Sequence, residues 1–274
     1  VEWFAERTWY ALAVACYGVA TAHGVMLWRR GWQRGEWLNY GMMALGFCAH
    51  TVALMGRGFS LKQCPVTNLF EALMFVTWAL SAAYLVMGVV GARVRFVSVF
   101  LAPVLMAAGF VALQPRLDEP GPNFDLERTA VSLHVSLVLL AYAAFGLASL
   151  VGVLFLIRDR PGGSEAARNW SARLPDSGRL EVVLLRALGL GLILLTAGLV
   201  MSFGLMRERY GVLVRPDPKI AWSILVWAVY LGLVVSRLRF GQAPHRLAWG
   251  ALGGFVFVVL TFWGTNLLSP IHHP

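Results

Sequence analysis

Charge is what this chain lacks most. Asp, Glu, Lys and Arg make up only 14% of its 274 residues, against 58% hydrophobic residues. A soluble domain carries roughly a quarter charged residues, so a water-exposed globule of this length is excluded. Cysteine is scarce too: Cys16, Cys48 and Cys64 form no C-x-x-C pair, which excludes a thiol–disulfide exchange motif. Cys16 and Cys48 lie in apolar runs as packing residues, and Cys64 lies in a loop. There is no phosphate-binding glycine loop, no H-E-x-x-H metal pair and no nucleophile–base–acid arrangement. Acidic residues are the rarer sign, 14 against 23 Lys and Arg, giving a formal net charge of +9. No basic stripe interleaves with aromatics, so the sequence predicts no nucleic-acid partner and leaves the basic excess to membrane topology.

What is present is a series of long apolar runs. Eight of them, at 8–28, 39–56, 69–92, 96–114, 131–157, 183–206, 219–236 and 247–268, read as helices able to cross the bilayer. A helix rises about 1.5 Å per residue against a hydrocarbon core of roughly 30 Å. The 28 glycines and 11 tryptophans suit helices that pack closely and anchor at the interface. The expectation is an all-α, polytopic membrane bundle of about eight transmembrane helices, one domain over 1–274, with the lipid bilayer as its first partner. The turns after the first, third, fifth and seventh spans hold more than half of the Lys and Arg. The positive-inside rule puts those turns in the cytoplasm and both termini outside. The acidic loop with Asp118, Glu119, Asp125 and Glu127 then also lies outside.

Histidine carries the most chemical information. His134 opens the fifth span, and His272 and His273 follow the eighth, so residues distant in sequence reach the same outer face. Two facing imidazoles can hold a haem iron from both sides, while the plain alternative is an interfacial helix-start histidine and a solvated tail. His50 lies in the middle of the second span, where a polar side chain is costly; it is either functional or hydrogen-bonded between helices. His23 lies nearer the inner end of the first span and His245 in a basic loop. Asn68 and Glu71 read as a cap and an early acidic residue of the third span. Asp217-Pro218 reads as an N-cap and first helical position of the seventh.

Four segments resemble the cytochrome c assembly family, haem-handling membrane proteins of the CcsA/ResC and HemX type. They are Ala49-His50-Thr51 with Arg57 and Pro65-Val66-Thr67-Asn68-Leu69-Phe70-Glu71; Leu133-His134-Val135-Ser136 with Ala141-Tyr142-Ala143; Asp217-Pro218-Lys219 with Trp222 and Trp227-Ala228-Val229-Tyr230; and Gly264-Thr265-Asn266-Leu267-Leu268 with His272-His273. They occur in the family's order from the second helix to the end of the chain. The resemblance implies an outer haem b site, bound or transient, with His134 and either His272 or His273 as axial ligands. It also implies a bacterial inner-membrane location, a membrane partner subunit, and an apocytochrome c or thioredoxin-like protein on the outer side.

The family carries a Trp-rich stretch before D-P-K, whereas 203–217 here contains no tryptophan. Porphyrin contact then falls to Phe203 and Tyr210, and propionate pairing to Arg207, Arg209 and Arg215 ahead of Asp217. Where family members carry a membrane-embedded histidine after W-x-x-Y, this chain has Leu231-Gly232. Two functions follow from the resemblance. One is presentation of haem for attachment to apocytochrome c, as a component of a haem lyase. The other is a HemX-like adaptor that regulates haem synthesis or assembly without catalysis. A transporter is a third class, and the sequence shows no internal repeat to support it.

Overall fold

In lipid every backbone N–H and C=O must be satisfied within the protein, and an apolar run achieves this by folding as helix. The computed structural model describes residues 2–30, 35–61, 64–66, 68–118, 129–160, 169, 171–212 and 218–268. Within these ranges the side chains at 2–5, 92–93, 129, 209–210, 218–219 and 260–268 are not described. Eight α-helices follow one another: α1 Glu2–Arg29, α2 Glu36–Leu61, α3 Leu69–Val90, α4 Ser98–Ala112, α5 Thr129–Arg158, α6 Ser177–Tyr210, α7 Pro218–Phe240 and α8 Pro244–Leu268. Short 3₁₀ segments, Ala92–Val97 and Pro115–Leu117, flank α4, and no strand occurs among the described residues. Among those residues seven helices are long and apolar enough to cross a membrane. α8 adds 25 helical residues over the last apolar run. The all-α membrane architecture is therefore as the sequence predicts.

The chain divides into two compact units, Val1–Ser132 and Leu133–Pro274. In the first, α1 and α2 run antiparallel and pack through small residues. A Cβ on Gly46 would sit 2.8 Å from Tyr17 Cε1 and 3.1 Å from Cys16 Cβ, so glycine sets the helix separation. Gly24 similarly approaches the Val99 backbone of α4. A polar thread runs through this unit. Tyr10 Oη meets Thr77 Oγ1 at 3.4 Å, Tyr17 Oη meets Ser81 Oγ at 3.0 Å, and Ser81 donates to the Thr77 carbonyl at 3.0 Å. Trp78 stacks on Phe47 and donates Nε1–H to Thr51 at 2.9 Å.

In the second unit Phe145 of α5 stacks on Tyr230 of α7, ring centroids 3.7 Å apart. The Ala248 carbonyl of α8 lies 3.1 Å from where Gly152 would carry a Cβ, so α5 and α8 touch backbone to backbone. Trp227 Nε1 donates to Thr196 at 2.9 Å, joining α7 to α6, and Arg237 pairs with Glu181 at the other end of the same two helices. Two turns need the left-handed conformation that glycine adopts at low cost: Gly211 at φ 71°, capping α6, and Gly241 at φ 62°, between α7 and α8.

Several helices extend beyond the predicted spans. α6 begins six residues early because Asp176 caps it, its carboxylate accepting from Arg179 N–H at 2.8 Å. It continues to Tyr210, so Arg207, Arg209 and Tyr210 belong to helix rather than to a loop.

Candidate functional site

His134 is the sixth residue of α5, one and a half turns from its start. Its Nδ1 lies 2.9 Å from the Gly198 carbonyl of α6. A carbonyl oxygen only accepts, so Nδ1 must donate, and the uncharged ring then carries its lone pair on Nε2. The approach depends on Gly198, where a Cβ would stand 3.0 Å from Val138 Cγ2. One imidazole nitrogen tied to a fixed acceptor orients the ring and leaves the other as the basic one. Metal-ligating histidines are held in this way.

The other predicted site residues fall in different places. Phe203 is half-buried and Arg207 exposed on α6. At about 100° per residue they stand roughly 140° and 180° around the helix from Gly198, away from the side that faces His134. The side chains of Arg209 and Tyr210, and all of Arg215, Asp217, His272 and His273, lie outside the described residues. α7 does begin at Pro218, the first helical position that the sequence predicts. Among the described residues no group of three or more His, Cys, Asp and Glu gathers as a metal site.

His50 is fully buried in the first unit. Its Nδ1 is 3.2 Å from Tyr17 Oη, and its ring packs 4.9 Å from that of Tyr10. Nε2 is enclosed without a well-formed hydrogen bond, the Met74 backbone being the polar group the ring approaches. His50 thus joins α1 to α2 and extends the polar thread to α3, one of the two roles the sequence leaves open for it.

Sequence reasoning misses a buried charge cluster at one end of the first unit. Arg57, carried inward because α2 runs on to Leu61, places Nε 2.9 Å and Nη2 2.8 Å from Glu71 Oε1. Nη2 also meets Asp118 Oδ1 at 2.9 Å, and Glu6 lies 3.7 Å from Nη1. Arg7 pairs with Asp118 Oδ2 at 3.0 Å and donates to the Leu113 carbonyl at 2.6 Å. Asn68 accepts from Glu71 N–H at 2.9 Å, the predicted cap, and donates to Asp118 at 3.2 Å. Both guanidinium groups lie over the Phe70 ring, 5.1 and 5.9 Å from its centroid. Asn68, Phe70 and Glu71 thus tie α1, α2, α3 and the turn after α4 together. The cluster's legible signal is three carboxylates and two arginines at the ends of apolar runs, where unpaired charge is costly.

Known proteins resemble the chain over most of its length. Residues 66–273, about three quarters of the chain, match the family model described as cytochrome C assembly protein. The chain is 27% identical over 285 residues to the cytochrome c biogenesis protein CcsA of Gloeobacter violaceus, covering 85% of this chain and 84% of that protein. Against CcsA of Prochlorococcus marinus it is 27% identical over 256 residues, 83% and 80% covered. Against CcsA of Guillardia theta it is 27% identical over 255 residues, 85% and 83% covered. The match takes in Asn68, Phe70, Glu71, His134 and the tail histidines, and the chain belongs to the cytochrome c assembly protein family.

Proposed function

We propose that this chain handles haem in cytochrome c biogenesis, holding it at the extracytoplasmic face of the bacterial inner membrane for attachment to apocytochrome c. The observation that carries the reading is the Nδ1–H···O=C bond from His134 to Gly198, which makes Nε2 the basic nitrogen of a fixed ring. His272 or His273 would supply a second imidazole to the iron. Arg209 and Arg215 are the cations available to propionates and Tyr210 the aromatic surface, Phe203 and Arg207 standing on the side of α6 away from Gly198. Haem b, when bound, supplies an iron that accepts two imidazole nitrogens and vinyl groups that join cysteine thiols. The chain's own work is to orient the ring and hold the carboxylates while a reduced apocytochrome approaches. A membrane partner subunit and a thioredoxin-like protein complete the system, and both units act as one assembly domain with the termini outside.

Haem titration of the detergent-purified chain tests this. Wild type binds with a sharp Soret band, and His134→Ala, or joint replacement of His272 and His273, loses it; equal binding by all three rejects the reading. A second reading, a HemX-like adaptor without catalysis, is favoured by the absence of tryptophan from 203–217 and by Phe203 and Arg207 turning from the His134 side. It predicts that histidine variants keep function while changes in the Arg-rich loop after α5 abolish partner binding.

A further inference from the structure

Trp78 and Trp227 stand alike in the two units. Each is the tenth residue of its helix, α3 or α7, about 13 Å from the start by helical rise. Tryptophan ordinarily sits at the headgroup level, where water can meet the indole N–H. At this depth the N–H needs an acceptor from the protein. Trp78 donates to Thr51 Oγ1 of α2 at 2.9 Å, and Trp227 to Thr196 Oγ1 of α6 at 2.9 Å. Each threonine commits its own hydrogen to the carbonyl one turn back, Phe47 at 2.8 Å and Leu192 at 2.7 Å, and is left to accept. Each indole thus clamps a neighbouring helix through a hydroxyl tied to that helix's backbone.

The clamp in the second unit lies beside the His134 bond. Thr196 and Gly198 are two residues apart on α6, so they differ by about 3 Å in height and by roughly 200° around the axis. Trp227 of α7 therefore holds α6 from one side, while His134 of α5 meets the Gly198 carbonyl on the other. A turn of α6 about its axis that carried the Gly198 carbonyl away from His134 would also carry Thr196 away from the indole.

α7 holds α5 as well. Phe145 stacks on Tyr230, ring centroids 3.7 Å apart, and lies against Gly191 of α6. Trp227 and Tyr230 are about one turn apart. A single turn of α7 is thus bonded to the helix that carries the acceptor and packed on the helix that carries the imidazole. The Arg237–Glu181 pair also joins α6 to α7, but it lies about 22 Å along α6 from Thr196. It secures the far end of the two helices and not the turn that presents the Gly198 carbonyl.

We propose that Trp227 is a positioning residue for His134. Through Thr196 its indole sets the rotation of α6 at which the Gly198 carbonyl receives Nδ1–H, and so keeps the ring's lone pair on Nε2. The indole acts on the imidazole through α6. The inference rests on the haem reading only for the use to which Nε2 is put, since the bond and the tautomer belong to the haem-free chain.

Nitrogen-15 NMR of the full haem-free chain, labelled at histidine and held at a pH where the rings are uncharged, tests it. The His134 signals are those that His134→Ala removes. The wild type should show the Nδ1–H form alone. Thr196→Val, which drops the acceptor, and Trp227→Phe, which drops the donor, should each show the Nε2–H form beside it. Thr196→Ser keeps the hydroxyl and should match the wild type. Trp78→Phe breaks the same kind of clamp in the first unit and should leave His134 unchanged. Nδ1–H alone in both Thr196→Val and Trp227→Phe overturns the proposal. So does a change at His134 in Trp78→Phe as large as in Trp227→Phe, because loss of any clamp would then loosen the fold. A wild type that already mixes the two forms overturns it too. The expected signals together with no haem band on titration support this inference and reject the haem reading.

Discussion

Replacing Arg57 by Met keeps the length and apolar stem of the side chain and removes only its charge and donors. Glu71 and Asp118 are left 1% exposed at their side chains and Glu6 8%, with Arg7, among the described residues, as the cation placed to compensate. Removing one partner from a buried pair costs about 3–5 kcal/mol, because the remaining charge stays desolvated. The Arg57 contacts cross three elements, so the loss should appear in global unfolding of the first unit. Guanidinium or thermal unfolding of the purified protein, read by circular dichroism, measures it. The double variant Arg57→Met with Glu71→Gln should be less damaged than the sum of the singles, since Asp118 keeps Arg7 at 3.0 Å and Asn68 at 3.2 Å. A coupling of about 1–3 kcal/mol is expected for groups in direct contact. Arg57→Lys should recover only part of the loss, because one ammonium cannot reproduce the Nε and Nη2 bonds together. An Arg57→Met protein within about 0.5 kcal/mol of wild type, the range of an ordinary surface change, would refute the reasoning.

Three further outcomes follow from the same contacts. Gly46→Val forces side-chain atoms into Tyr17 and should cost about 1–3 kcal/mol in unfolding experiments, the usual range for overpacking. Tyr17→Phe strips His50 Nδ1 and Ser81 of a shared partner and should cost about 1–3 kcal/mol by the same measurement. For topology, in a background without native cysteines, Ala172→Cys should react with an impermeant maleimide only in inverted vesicles and Arg116→Cys only in intact cells; the reverse pattern would invert the charge-rule orientation.

The apolar runs made the helices legible, since a bilayer leaves a long apolar segment few other folds. Helix ends were less legible, because charge at a run's edge looks like a stop signal until its partner is known. Arg57 continues α2 since Glu71 and Asp118 await it, and Glu181 sits inside α6 since Arg237 reaches it. The cap at Asn68 was readable from local spacing. The role of Glu71 beyond the cap was not, because Arg57 and Asp118 are 14 and 47 positions away in sequence. His134 could be picked out by type and position. The Gly198 carbonyl that fixes its tautomer is 64 residues distant and leaves no local pattern. The division into units at Ser132 falls inside α5, where neither composition nor turn residues mark it.

The central claim is that His134 presents Nε2 to a haem iron. The most direct measurement is the reduced-minus-oxidised absorption spectrum of haem-loaded His134→Gly protein, recorded without and then with added imidazole. The account predicts that the sharp reduced bands of the wild type vanish in the variant and return when imidazole fills the space the side chain left. Bands unchanged in His134→Gly before any imidazole is added would contradict it.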